Sequence, residues 1–122
     1  MSGFQPDDRH TVTPRVFTRD VAGLVRFMKI VFDARGDVRE GAPAEIQIGD
    51  STIMVSDGDG VRQATPACLY VYVPDADEAF RRATGAGARA IDPPANMPWG
   101  DRRATVEDDF GVTWQIATHR GA

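Results

Sequence analysis

A single cysteine, Cys68, stands among 122 residues, so no internal disulfide can form. The apolar stretch around Cys68 to Val73 is the longest in the chain and falls far short of the ~20 residues a membrane-spanning helix needs. The polar N-terminus offers no apolar run for a signal peptide. Basic residues form no block: 14 Lys and Arg face 18 Asp and Glu for a net charge of -4, a poor electrostatic match for nucleic acid or an anionic bilayer. These absences predict a soluble, cytoplasmic chain with no nucleic-acid and no membrane partner. Histidine is scarce too, and His10 and His119 both read as surface residues. No Ser or Cys lies in a nucleophile motif beside a His, so no catalytic residue is assigned. What is present, 42% hydrophobic residues, suits one domain over residues 1–122 burying roughly two thirds of its unfolded surface.

An internal repeat organises that domain. Thr13 to Asp20 reads as a short strand ending in an acidic helix cap, and Val21, Leu24, Val25, Met28, Val31 and Phe32 follow at helical spacing. Cys68 to Asp75 is again a strand ending in an aspartate, with Ala76, Ala79, Phe80 and Ala83 at helical spacing and Gly85-Ala86-Gly87 closing the helix. The two aspartates lie 55 positions apart. Each helix leads to a hairpin, Ala44–Ile48 with Thr52–Ser56 around Gly49-Asp50, and Arg103–Glu107 with Thr113–Thr118 around Asp108 to Gly111. Matching Gly49 to Gly111 gives an offset of 62, hence 7 extra residues in the second copy, placed around Pro93 to Trp99. The remaining strands are Arg89 to Asp92 and a polar, poorly defined Gly36 to Glu40. The expected modules span about 11–57 and 66–120, with 58–65 as linker, and each reads strand, helix, three strands.

This pattern resembles the vicinal oxygen chelate superfamily of glyoxalases, bleomycin-resistance proteins and extradiol dioxygenases. The resemblance rests on Thr13-Pro14 through Arg19-Asp20, Ala44-Glu45 with Ile48-Gly49-Asp50-Ser51, and above all Trp99-Gly100-Asp101-Arg102. It continues through Val106, Asp108, Phe110-Gly111, Thr113-Trp114 and Ile116 to His119, so that it covers Thr11 to Arg120. It implies an α+β fold of two βαβββ modules forming an open, cup-shaped mixed sheet with helices on the outer face, and a homodimer. It also implies a divalent metal in the cup, held by His and Glu. The corresponding positions here are Thr13, Ile53, Cys68 and Gln115, and where a subgroup carries further histidines this chain has Pro43 and Tyr70. Neutral groups cannot offset the hydration a divalent ion loses, so no metal and no cofactor is expected.

Strand alternation then lines the cup. Cys68, Tyr70 and Tyr72 face inward with Leu69, Val71 and Val73 toward the helices; Thr13, Arg15 and Phe17 face inward opposite Val16; Thr113, Gln115 and Ala117 face inward opposite Trp114 and Ile116. With Trp99 and Arg102 at the mouth, the candidate ligand-binding set is Arg15, Phe17, Cys68, Tyr70, Tyr72, Trp99, Arg102 and Gln115. That lining suits a planar or polar organic molecule, with Arg15 as partner for an anion. Other roles remain open: Tyr70 and Tyr72 as cover at a subunit contact, Arg15 in an intersubunit ion pair, Asp101-Arg102 as a pair holding a loop shut, Cys68 as a small buried hydrophobe. The Gly85-to-Ala90 string runs from helix to strand, the reverse of a dinucleotide fingerprint, and Asp57-Gly58-Asp59-Gly60 lacks the later carboxylates of a calcium loop. Glu107-Asp108-Asp109 reads as a solvated turn. The leading expectation is metal-independent binding of a small organic molecule. The alternatives are a metal-dependent lyase, isomerase or dioxygenase, a metal-free catalyst, and a structural dimer with a plugged cup.

Overall fold

The computed structural model describes residues 3–7, 9–57 and 66–121, so the expected linker 58–65 lies outside the described residues. In chain order the elements are β1 (Arg15–Phe17), α1 (Val21–Phe32), β2 (Ala44–Ile48), β3 (Ser51–Ser56), β4 (Ala67–Tyr72), α2 (Ala76–Gly85), β5 (Arg89–Asn96), β6 (Asp101–Glu107) and β7 (Val112–His119). Among the described residues the fold is α+β, with two helices and two mixed sheets ordered β1-β3-β2 and β4-β7-β6-β5. In both sheets the first strand of the copy pairs parallel with the last, and the hairpin partner follows antiparallel. Among the described residues no helix is long and apolar enough to cross a membrane.

Both helices start where the aspartates predict. The Asp20 carboxylate accepts the Gly23 N–H at 2.9 Å and that of Asp75 accepts the Glu78 N–H at 3.2 Å, satisfying donors that the first helical turn leaves unpaired. The α1 stripe buries Leu24, Val25, Phe27, Met28, Val31 and Phe32, whereas α2 buries only alanines: Ala76, Ala79 and Ala83. The Arg82 guanidinium, on α2, donates to the Val31 carbonyl at 3.0 Å and ties the two helices together. Trp114 of β7 sits fully buried between Phe32, at 4.8 Å between ring centroids, and Phe27, at 6.4 Å. One apolar cluster therefore runs through both helices and both sheets.

Three elements differ from the sequence-based expectation. Gly36 to Glu40 forms no strand: the chain makes a single bridge, Arg35 to Gln47, and Gly36 then turns it away at φ 125°, where an added Cβ would lie 2.4 Å from the Glu45 carbonyl. β5 continues beyond Asp92 through Pro93-Pro94 to Asn96 by shifting register twice against β6. An edge strand tolerates this, because prolines there forfeit no interior ladder bond. Asp108 is buried rather than solvated; it accepts the Phe110 and Val112 N–H groups at 2.8 and 2.9 Å and the Trp114 indole N–H at 2.8 Å.

Candidate functional site

Alternation along β4 holds: Leu69 and Val71 pack against the core while Cys68, Tyr70 and Tyr72 are exposed on the open face, away from the helices. Tyr70 and Tyr72 lie side by side with centroids 5.4 Å apart and planes tilted by 58°. Tyr72 is in register with Ala117 on β7, whose methyl leaves the tyrosines free to reach across that strand to Asp101 at the start of β6.

Asp101 is the hub of this face and is only 2% exposed. Its Oδ2 accepts the Tyr70 hydroxyl at 2.6 Å, the Tyr72 hydroxyl at 3.0 Å and the Trp99 indole N–H at 3.1 Å. Its Oδ1 lies 2.8 Å from Nδ1 of His119, its register partner on β7. Hydrogen bonds from Tyr70 first, then His119, Tyr72 and Trp99, hold its carboxyl well down, at about 2, against the opposing effect of burial. The Tyr70 hydroxyl is correspondingly pushed up, by burial and then by its bond to Asp101, and that of Tyr72 chiefly by its bond to Asp101. Three aromatic side chains are thus locked at their polar ends while their rings stay open, with Tyr70 38%, Trp99 51% and Tyr72 62% exposed. Arg103, two residues along β6, places its guanidinium 5.6 Å from the Trp99 ring centroid.

The expected ligand set divides across the molecule. Cys68, Tyr70, Tyr72 and Gln115 share the open face of the four-stranded sheet, and Trp99 folds onto it. Arg15 and Phe17 belong to the other sheet, where Arg15 bonds Ser56 at 3.1 Å, covers the Phe17 ring, and lines a cavity of about 470 Å³ with Val38, Arg39 and Pro43. Arg102 leaves the set. It alternates to the opposite face of β6, where its Nε donates to the Asp77 carboxylate of α2 at 3.0 Å, so Asp101 and Arg102 do not pair with each other.

Ile53 is also displaced: it is buried in the core. The Gly49-Asp50 turn has two residues, while five separate Glu107 from Thr113, so matching glycine to glycine slips the alignment by one and flips the face. By strand register Met54, opposite Arg15, corresponds to Gln115, opposite Tyr70. The family-implied metal positions are then Thr13, Met54, Cys68 and Gln115, with no imidazole and no carboxylate among them. Such a neutral donor set does not fit a hard divalent cation. Among the described residues no group of three or more His, Cys, Asp or Glu is placed to hold a metal ion.

Sequence reasoning missed Asp101, Arg103, Thr105 and His119 as open-face residues. The signal was there: alternation continued past Ala117 reaches His119, and starting β6 at Asp101 puts Asp101, Arg103 and Thr105 on one face.

A family model described as Glyoxalase/Bleomycin resistance protein/Dioxygenase superfamily matches residues 7–116. An uncharacterised protein of Mycobacterium bovis is 29% identical over 122 aligned positions, spanning 86% of this chain and 80% of its own length. Among solved structures, TioX from a Micromonospora species superposes with a TM-score of 0.75 at 28% identity, over 90% of this chain and 98% of that one. A glyoxalase/bleomycin resistance protein/dioxygenase family enzyme from Burkholderia phytofirmans superposes with a TM-score of 0.73 over 88% of this chain and 96% of that one; at 19% identity it speaks for the fold alone.

Proposed function

The chain belongs to the glyoxalase/bleomycin resistance protein/dioxygenase superfamily, and from that premise we propose that it binds a planar small organic molecule on the open face of the β4-β7-β6-β5 sheet, without a resident metal. The observation that carries the reading is the Tyr70, Tyr72 and Trp99 surface: three partly exposed aromatic side chains with their polar ends fixed on one buried carboxylate. Rings immobilised before the ligand arrives lose little conformational freedom on binding, which favours stacking. Neutral side chains at the family's metal positions favour recognition of the organic molecule itself.

Thermal-shift screening with planar aromatic compounds tests this, each hit being repeated on Trp99→Ala and Tyr72→Ala. A ligand at about 100 times its dissociation constant stabilises the folded state by about 2.7 kcal/mol. Hits whose stabilisation drops in both variants support the site. Hits that leave both variants unaffected place binding elsewhere and refute it.

One feature favours a second reading, a metal-free acid–base catalyst. Asp101 engages Nδ1 of His119, and the His119 side chain is otherwise 60% exposed, so Nε2 is left to meet a bound molecule. Mass spectrometry of a bound compound after prolonged incubation separates the two readings. A compound recovered unchanged supports binding; turnover that is lost in His119→Gln supports catalysis.

A further inference from the structure

β6 presents Asp101, Arg103, Thr105 and Glu107 at alternate positions on the open face. Both carboxylates are engaged, Asp101 by Tyr70, Tyr72, Trp99 and His119, and Glu107 by Arg89. Arg103 takes part in none of the ion pairs between described residues. Its guanidinium stands over the Trp99 ring, and its Nε is buried without a hydrogen-bond partner. Thr105, next on the same face and only 4% exposed, has a hydroxyl that is likewise buried without a partner.

Buried polar atoms are almost always bonded, so two left open on one face beside an exposed ring need explaining. We propose that Arg103 and Thr105 form an anion subsite, so that the planar molecule held against Trp99, Tyr70 and Tyr72 carries a carboxylate or a comparable oxyanion. This deepens, and rests on, the ligand-binding reading above. A guanidinium offers a planar fork that pairs with two oxygens at once, and this one stands 5.6 Å from the Trp99 ring centroid. The Thr105 hydroxyl supplies a further donor, and Gln115 lies in register with both Thr105 and Tyr70. Asp101 keeps its charge on the same face, but its two oxygens are taken up by Tyr70, Tyr72, Trp99 and His119 rather than by Arg103.

The test compares 2-naphthoate with neutral 2-naphthamide, titrated into the full chain at low ionic strength and followed by tryptophan fluorescence. Trp114 is fully buried, so quenching reports Trp99. Both compounds are expected to bind, naphthoate about tenfold more tightly, with the difference shrinking as salt is added. Arg103→Met removes that advantage, weakening naphthoate more than naphthamide, while Arg103→Lys restores part of it. Circular dichroism verifies the fold of each variant, and Thr105→Val, expected to weaken naphthoate alone, stands in if Arg103→Met unfolds. Equal affinity for the two compounds, or an advantage that survives Arg103→Met, overturns the anion subsite while leaving the planar-ligand reading intact. Failure of both compounds to quench Trp99 overturns that reading and the subsite together.

Discussion

Asp101 keeps its charge almost out of solvent because four side chains from three parts of the chain supply donors to it: Tyr70 and Tyr72 from β4, Trp99 from the loop before β6, and His119 from β7. Its folded-state value of about 2 lies below that of an ordinary aspartate, so its contribution to stability is complete above the unfolded value, about 3.9, and fades as pH falls toward 2. Urea midpoints of wild type and Asp101→Asn should therefore differ at about pH 5 and converge between about pH 4 and pH 2. A difference that persists unchanged at pH 2 would show that the charge is not what matters. At this scale the sequence was partly legible. Tyr70, Tyr72 and Gln115 follow from period-two alternation, but the target of the tyrosine hydroxyls lies two strands away, and no local pattern encodes that.

Within the elements, α1 carries a glycine in its first turn for a steric reason. A Cβ on Gly23 would lie 2.4 Å from Asp20 Oδ2, on the capping carboxylate itself, and 2.6 Å from the Phe110 ring. Glycine-to-alanine exchange inside a helix ordinarily gains up to ~1 kcal/mol. Here Gly23→Ala is expected to lower the urea midpoint, because the cap and Phe110 must both move. The β6–β7 turn depends in the same way on Asp108. Replacing it with alanine leaves two backbone N–H groups and the Trp114 indole without their acceptor, an expected cost of about 3 kcal/mol measurable by urea denaturation. Helix starts and hairpins were readable because caps and periodicity are local. The face of Ile53 was not: it depends on how many residues each turn contains, and the turns of the two copies differ in length. Prolines hid the full length of β5, since only its edge position lets it continue through them.

Across the whole molecule, the two sheets share one core centred on Trp114. Trp114→Ala is expected to cost about 3 to 5 kcal/mol, with the helices and both sheets unfolding in one transition by circular dichroism and fluorescence. β1 and β4 each lie at a sheet edge, and we propose that a second copy of the chain covers them. Light scattering at micromolar concentration should then return twice the 13.3 kDa chain mass, and a monomer mass would refute the pairing. The repeat made the architecture legible from the chain alone. It left undetermined which open-face residues share a sheet, and that division separates Arg15 and Phe17 from the Asp101 hub. The most direct measurement is a proton–nitrogen correlation spectrum of the indole region during titration with a planar aromatic hit. The Trp99 signal is expected to move with ligand occupancy while that of buried Trp114 stays in place. A bound ligand that leaves Trp99 unmoved would contradict it.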